Sequence, residues 1–347
     1  IPLQRGIATV ALPPAAKRSI VGRVDAAGGL HRLTVNGRET QTQEDGIFRA
    51  ELEIPKSSLE VRVVAIDEQG KSAELRFELA PLEDRSRAPS APAAKASYVG
   101  FGDYFALVIG NDDYATLPDL RTAWRDAQAV SQVLRERYGF KVTSLQNASR
   151  YQILSALEQL RGELDRDDNL LIYYAGHGEL DEVNMRGHWL PVDAERESSA
   201  NWISNVSITD ILNAMQARHV MVVADACYSG TLTPSSLARL DTGTSDEERA
   251  AWIAAMVKQR SRTALTSGGL EPVLDGGGGE HSVFARVFLD VLERNRDVME
   301  GGELFQEVSA RVTWEALKLR FEQVPEYAPI QYAGHESGDF FLVPVAR

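Results

Sequence analysis

A thiol, an imidazole and two carboxylates carry the chemistry readable in this chain. Cys227, the only cysteine among 347 residues, follows an apolar run in "HVMVVADACYSG", with Asp225 two positions before it. His177 lies 50 positions earlier, after the apolar run of "NLLIYYAGHG" and between Gly176 and Gly178. A Cys–His pair is a nucleophile with its base. The thiolate is the reactive form, and the imidazole lowers the thiol's pKa and later protonates the leaving amine. The flanking glycines let backbone approach a substrate closely. The amides of Gly178 and Cys227 can both point at a developing oxyanion, where one such donor is typically worth about 3 kcal/mol. Taken singly, the bland readings are stronger. A lone buried cysteine is more often a small core hydrophobe than a nucleophile, and a lone histidine near a strand end is more often structural. Jointly they weaken, because both residues sit at strand ends within glycine-bearing loops.

For this pair to meet, neighbouring strands must deliver it to one edge of a sheet. From Tyr104 onward the pattern alternates strands with helices. "YFALVIG" reads as a buried strand, and "DLRTAWRDAQAVSQVLRERYGF" aligns Leu120, Ala127, Val130 and Leu134 on one helical face. "KVTSL" is a strand, and "SRYQILSALEQLRGEL" a helix with Ile153, Leu157, Leu160 and Leu164 aligned. "NLLIYYAGHG" follows as a strand, "SITDILNAM" as a helix, and "HVMVVADACYSG" and "RTALTSGG" as further strands. Helices in "HSVFARVFLDVLERN" and "GELFQEVSARVTWEALKLR" precede a last strand, "GDFFLV". Such alternation predicts a mostly parallel sheet with helices on both faces. Ligands of such sheets bind beyond the carboxyl ends of the strands, where His177 and Cys227 both fall.

Residues 19–81 read differently. "SIVGRVD", "HRLTVNG", "GIFRAELEI", "SLEVRVVAID" and "SAELRFELA" are short alternating β-runs punctuated by "NGRE", "EDG" and "DEQG". They predict a small antiparallel sandwich. Residues 1–18 are an N-terminal extension, 82–100 a linker rich in Pro, Ala and Ser, and 101–347 the α/β domain.

Composition narrows the function classes. Hydrophobic content of 44% and charged content of 25% are ordinary for a globular protein. The formal charge of −13, with no basic block, argues against a nucleic-acid partner and favours basic substrates. No apolar run is long enough for a membrane span, and no GxGxxG or P-loop follows the first strand of the α/β domain. One cysteine forbids an internal disulfide and leaves the compartment open. The chain opens on Ile1 with no signal-peptide pattern, which leaves room for an upstream segment carrying an address or anchor.

"YYAGHGE" and "DACYSG" resemble the histidine and cysteine boxes of the caspase-like cysteine peptidases, a group of caspases, metacaspases and bacterial orthocaspase-type relatives. That family places its histidine about 50 residues upstream of its cysteine, as here. "ALVIGNDDY…LPDLRTAWRDA" looks like the family's first strand and helix, and "HWLPVDA" like the hairpin after the histidine. "RTALTSGG" and "HSVFARVFLDVL…ELFQEV…QVPEY…SGDFFLV" match later parts, so the resemblance runs roughly from Tyr104 to Val343. It implies a mostly parallel six-stranded sheet flanked by helices, and a cysteine endopeptidase with Cys227 as nucleophile and His177 as base. "VNG", "DGIF" and "AIDEQGKSAE" likewise resemble immunoglobulin-like modules of bacterial proteins.

The resemblance also bears on which bond is cut. Caspases carry a Gln-Ala-Cys box and cleave after Asp; Asp225 stands in place of that Gln, as in metacaspases. A carboxylate at the pocket base pairs with Arg or Lys and repels Asp. Asp126, in "TAWRDA", aligns with a second metacaspase pocket acid. The competing readings are a solvated charge or a partner of Arg121 or Arg125 for Asp126, and a brace of the nucleophile loop for Asp225. The expected substrates are peptides or proteins with Arg, less readily Lys, at the cleavage site. Their backbone is expected along "TSGG" as an added strand, which makes Thr266, Ser267 and Gly268 substrate-binding residues.

Ala175 stands where some metacaspase pockets have serine. Asp181, Glu182, Asp193 and Glu195 lack calcium-ligand spacing, so no metal or cofactor is required by the sequence, and calcium stays an open alternative that ligand spacing does not support. Between Cys227 and Arg262 the chain holds Arg239, Arg249, Lys258 and Arg260, which with Arg262 suit a zymogen that cleaves itself after basic residues; the competing reading is a solvated insertion. "DGGGGE", Asp275 to Glu280, is expected to order on substrate binding. The immunoglobulin-like module leans toward the cell envelope or secretion, with the cytoplasm still open, and the oligomeric state is not legible. The alternative function is a non-catalytic caspase-like scaffold that binds peptides or partner proteins.

Overall fold

The computed structural model describes residues 8–12, 17–23, 29–42, 47–53, 59–68, 72–81, 100–181, 183–184, 186–226, 246–268, 279–319, 321 and 323–345. The chain divides into two compact units, one within Ile1–Pro92 and one comprising Ala93–Leu237 and Ser245–Arg347.

The first unit is all-β. Its strands are β1 (Ala8–Leu12), β2 (Lys17–Arg23), β3 (Leu30–Val35), β4 (Arg38–Glu39), β5 (Ile47–Glu53), β6 (Leu59–Asp67) and β7 (Ser72–Pro81). One sheet runs β1-β7-β6-β3-β4 and the other pairs β2 with β5. Phe48 and Leu52 of β5 share a buried core with Leu33 and Val35 of β3 and Val61 and Val63 of β6, so the two sheets pack face to face. Asn36 (φ 49°) and Gly37 (φ 77°) turn β3 into β4, the left-handed pair that an Asn-Gly hairpin requires. Within the expected extension, β1 pairs in parallel with β7. Of the expected linker, only Gly100 lies among the described residues.

The second unit is built on a six-stranded sheet. Its strands are β8 (Tyr104–Gly110), β9 (Lys141–Gln146), β10 (Asn169–Ala175), β14 (His219–Asp225), β15 (Ser261–Thr266) and β17 (Glu326–Pro329), in the order β17-β15-β14-β10-β8-β9. All pairs are parallel except β15 with β17. A hairpin of β11 (Gly178–Asp181) and β12 (Arg186–Trp189) with β13 (Ile203–Ser204), and a pair of β16 (Met299–Glu300) with β18 (Phe341–Leu342), stand apart from it.

Every residue of β10 and β14 is buried, as continuous apolar strands covered on both faces must be. Alternate side chains go to opposite layers. Val108, Tyr173, Met221 and Val223 face α1 (Ala123–Tyr138), α5 (Val283–Arg294) and α6 (Gly301–Lys318). Leu107, Ile172, Val220 and Val222 face α2 (Arg150–Glu163) and α3 (Asn205–Ala214). The remaining helix, α4 (Asp246–Met256), lies between β14 and β15 in sequence.

Two expectations differ. The first helix begins at Ala123, not at Asp119, because the segment before it is held as a loop: Asp119 Oδ1 accepts from the Tyr114 amide and Asp112 Oδ1 from the Trp124 amide. "GDFFLV" does not close the main sheet, since Phe341–Leu342 pairs with β16. The sheet closes instead with β17, whose four residues are too few for a clear alternation pattern.

Candidate active site

The site is set by one ladder. β10 and β14 pair from Asn169↔His219 to Ala175↔Asp225, with every partner offset by 50 residues. The two strands therefore end level. In sequence, His177 comes two residues past Ala175 and Cys227 two residues past Asp225. Cys227 itself, both as nucleophile and as oxyanion amide, lies outside the described residues, as does Arg239. Sheet order reverses between β8 and β10, because the chain passes from β8 outward to β9 and then back to β10 on the other side. Loops that leave the sheet at such a reversal open a crevice between them. The loop after β8 and the loop after β10 flank that reversal here.

His177 is held from both of those loops. Its Nε2 lies 2.7 Å from the carbonyl oxygen of Pro118. A carbonyl only accepts, so Nε2 carries a hydrogen, and in the neutral ring Nδ1 is the basic nitrogen. The His177 amide donates to the Tyr114 hydroxyl (2.8 Å), and the two rings pack at 4.7 Å. The His177 carbonyl accepts from the Tyr174 hydroxyl (2.8 Å) and the Leu190 amide (3.0 Å). A side chain at Gly176 would put its Cβ 2.8 Å from both the Tyr114 and the Tyr174 hydroxyl oxygens, so glycine is required for this approach. Tyr114 and Pro118 owe their places to the pinned loop: Thr116 Oγ1 donates to the Ala194 carbonyl, and the Ala115 amide to that of Val192.

Gly178 opens β11 opposite Trp189. The flanking Leu190 N–H to His177 O bond marks Gly178–Trp189 as a non-hydrogen-bonded pair, so the Gly178 amide points away from β12.

The two acids converge. Asp126, on α1, is 1% exposed, and Asp225, at the end of β14, is 7% exposed. Ser282 joins them: its amide donates to Asp126 Oδ2 (3.1 Å) and its hydroxyl to Asp225 Oδ2 (2.6 Å). Asp126 Oδ1 meets His281 Nδ1 at 2.5 Å. Burial raises the pKa of Asp126, while the bonds from His281 and Ser282 pull it down. A solvated surface charge is thereby excluded for Asp126, and Arg125 pairs with Glu280 instead (3.7 Å). Ser282 also caps α5 by accepting from the Ala285 amide (2.9 Å), so the acids lie at that helix's positive end. Beneath them, burial and both carboxylates push the Tyr173 phenol well up in pKa and keep it neutral.

The expected peptide-binding strand needs correction at Thr266. Its main chain has β14 on one side, at Ala224, and β17 on the other, at Glu326. No edge is left there for a peptide to join. The Ser267 amide is likewise committed, to the Ala224 carbonyl (2.9 Å). Alternation sends the Ser267 side chain to the same face as Asp225 and that of Thr266 to the other. Of the rest of that expected strand, Gly268 is described and Gly269 lies outside the described residues, with 270–278.

Arg262 is also misplaced as a self-cleavage site. It is fully buried in β15, and its guanidinium donates to the carbonyls of Leu212, Met215, Ala217, Arg218 and Ser261 at 2.7–3.1 Å. That arrangement caps the C-terminal end of α3, and burial lowers the pKa of Arg262 to about 9. Arg260 donates to the Asn213 and Met215 carbonyls, and Arg249 to Val298 and Glu303. Lys258 is exposed. Among the described residues no cluster of His, Cys, Asp or Glu could hold a metal, and no helix is long and apolar enough to cross a membrane.

Sequence reasoning passed over Tyr114, Pro118, His281 and Ser282. A readable signal existed only for Ser282, a serine directly before an apolar helix and thus an N-cap. Pro118 acts through a backbone carbonyl, which no side-chain pattern reports.

Residues 103–331 match the family described as Caspase domain. Over 116 residues the chain is 32% identical to mucosa-associated lymphoid tissue lymphoma translocation protein 1 of Homo sapiens, a stretch covering 33% of this chain and 14% of that protein. The Mus musculus homolog is also 32% identical over 116 residues, covering 33% of this chain and 13% of the homolog. The chain thus matches only a small part of those relatives' length. Among solved structures, caspase-1 from Spodoptera frugiperda aligns with a TM-score of 0.49 at 16% identity, over 70% of this chain and 93% of that one. A protein from Geobacter sulfurreducens aligns with a TM-score of 0.43 at 16% identity, over 68% and 97%.

Proposed function

The chain belongs to the caspase-domain family, and on that premise we propose that it is a cysteine endopeptidase cutting after Arg, less readily after Lys, with Cys227 as nucleophile and His177 as base. The observation that carries this reading is the constant 50-residue ladder between β10 and β14, because the same offset separates His177 from Cys227. The level strand ends support this reading, because each residue follows the ladder by the same two positions in sequence.

In the proposed reaction the His177 Nδ1 takes the thiol proton, and the Cys227 thiolate attacks the carbonyl carbon of the scissile bond. The amides of Gly178 and Cys227 hold the oxyanion of the tetrahedral intermediate. Collapse breaks the C–N bond, and His177 returns the proton to the leaving amine. Water, activated by His177, then hydrolyses the thioester. The Pro118 carbonyl keeps Nε2 protonated throughout and stabilises the imidazolium when it forms.

Specificity rests on Asp126 and Asp225. Two buried carboxylates bridged by Ser282 suit a planar cation that can be bonded by both. The Ser282 hydroxyl on Asp225 offsets the serine that Ala175 lacks. This pocket charge supports a metacaspase or orthocaspase type. We further read the all-β unit as an immunoglobulin-like module, a reading supported by its two packed sheets, and the stretch between Cys227 and β15 as one that is cut after a basic residue, of which Lys258 is exposed.

The test is a panel of fluorogenic peptides ending in Arg, Lys or Asp, run on the wild-type chain and on Cys227→Ala, with and without calcium. Turnover of the Arg peptide by the wild type and its loss in Cys227→Ala support the reading. Equal rates in the two proteins would leave a peptide-binding scaffold, and faster cleavage after Asp would overturn the pocket assignment.

A further inference from the structure

Two hydroxyls in the layer of the acid pair are buried with nothing to bond. Tyr173 and Ser267 are both fully buried, and neither the Tyr173 Oη nor the Ser267 Oγ has a hydrogen-bond partner among the described residues. The ladders place them. Ala175 pairs with Asp225, so Tyr173, two residues earlier on β10, faces the same layer about 7 Å further down the strand. Ala224 pairs with Thr266, which sets Ser267 level with Asp225 on the neighbouring strand and on that same face. The Tyr173 ring stacks on Phe288 of α5 at 6.2 Å. After burial, the charges of Asp225 and Asp126 are what hold the proton on its phenol, so both acids reach it electrostatically. The other unpartnered buried hydroxyls of β15 lie elsewhere: Ser261 and Thr263 are further down the strand, and Thr266 is on its opposite face. Burying a hydroxyl without a partner is destabilising, and a fold keeps such a defect where function needs it.

We propose that Tyr173 and Ser267 are specificity-determining residues of the pocket, whose hydroxyl oxygens accept N–H groups of a substrate guanidinium and so favour Arg over Lys. This rests on the reading of Asp126 and Asp225 as the pocket that takes a basic side chain. A guanidinium brings five N–H donors in one plane, an ammonium three on a compact head. The acids are already partly spent on the protein. Asp126 Oδ1 has His281 and its Oδ2 the Ser282 amide, while Asp225 Oδ2 has the Ser282 hydroxyl. A planar fork that spreads over this site therefore needs further acceptors, and the two hydroxyls are acceptors with no other use. Each can donate its own hydrogen to a carboxylate and turn a lone pair to the cation. Lysine, with fewer N–H groups and no fork, leaves a buried hydroxyl unpaired, and a site built to hydrogen-bond its ligand discriminates against one that leaves its groups unmet.

The experiment compares kcat/KM on Arg- and Lys-terminated peptides in the wild type, Tyr173→Phe and Ser267→Ala, with a thermal melt of each protein. Tyr173→Phe removes one oxygen and keeps the stacked ring. Because that oxygen has no partner in the free protein, the variant should melt no lower than the wild type. Its Arg-to-Lys ratio of kcat/KM should fall by at least about tenfold, the loss of one hydrogen bond to a charged group. Ser267→Ala should behave in the same way. A variant that keeps the wild-type ratio removes its residue from the pocket, and two such variants overturn the proposal. A Tyr173→Phe protein that fails to fold, or melts well below the wild type, also overturns it, since the hydroxyl would then be structural.

Calorimetric binding of the same two peptides to Cys227→Ala, with and without Tyr173→Phe, reads the ratio without turnover and should show the same fall. A Cys227→Ala chain that binds neither basic peptide overturns the pocket reading itself. That result differs from a chain that prefers Arg and keeps the preference without the two hydroxyls.

Discussion

The Nε2 of His177 bonds to the carbonyl of Pro118 at 2.7 Å, although the two residues leave the sheet on different strands. Their contact ties the loop after β8 to the loop after β10 across the crevice. It also decides which ring nitrogen is the base.

Tyr114→Phe removes the hydroxyl that accepts the His177 amide and leaves the packed ring in place. We expect kcat to fall roughly tenfold, about 1.4 kcal/mol of transition-state stabilisation, with KM little changed. Stability should fall by about 1–3 kcal/mol, because a buried amide loses its partner. A thermal melt beside the kinetics separates the two effects; a melt shift with an unaltered kcat would show that Tyr114 is only structural.

Asp225→Asn is nearly isosteric and keeps an acceptor for the Ser282 hydroxyl. Losing one buried partner of a charge pair typically costs about 2–5 kcal/mol. The expected outcome is a drop of at least about 30-fold in kcat/KM on Arg peptides, from the low end of that range. Retained Arg cleavage in a folded Asp225→Asn protein would remove Asp225 from the pocket.

Ser282→Ala tests the bridge from the other side. It removes the N-cap of α5, worth about 1 kcal/mol, and the donor to Asp225. Chemical denaturation should show the stability loss. The Arg-peptide KM should rise by more than that of Ser282→Thr, which keeps the hydroxyl.

His219 gives the fold a pH dependence unconnected with the site. Burial, with Arg218 nearby, lowers its pKa to about 4, and Asn169 Oδ1 bonds its Nδ1 at 2.7 Å. The unfolded chain holds a proton on this histidine below about pH 6.5 while the folded one does not. The stabilisation is therefore complete above about pH 6.5 and is lost as pH falls toward about 4, with a limiting slope of about 1.4 kcal/mol per pH unit. Denaturant midpoints across that range should flatten in His219→Gln relative to the wild type. Identical slopes would show that other groups set the acid sensitivity.

Arg262→Leu should destabilise the α/β unit by about 3–5 kcal/mol, since five backbone carbonyls lose their donor together. Where that variant does not accumulate, Arg262→Lys, which restores the charge but not the planar fork, should show a partial loss in the same denaturation assay. A wild-type-like midpoint in both would refute the capping role.

Local physics made much of this legible before any coordinates. "NLLIYYA" and "HVMVVAD" announce doubly covered strands because no polar face interrupts them, and glycines at 176 and 178 mark a tight approach. The offset of His177 and Cys227 is a sequence quantity too. Only the tertiary structure could show that 50 is also the register of β10 on β14, because strand pairing depends on which strands the helices bring together. The same holds for the acids. For Asp126 the sequence leaves a pocket acid and a solvated helix-surface charge both open, and it is buried where the chain entering α5 brings His281 and Ser282 to it from far along the sequence. Thr266 failed as a peptide-binding residue for the converse reason: β17, too short to announce itself, occupies the edge. Residue types and spacings thus determined the kind of chemistry and the strands that carry it. Which side chains touch, which edges are taken and which histidine nitrogen is basic were decided by long-range packing, where sequence separation carries no information about distance.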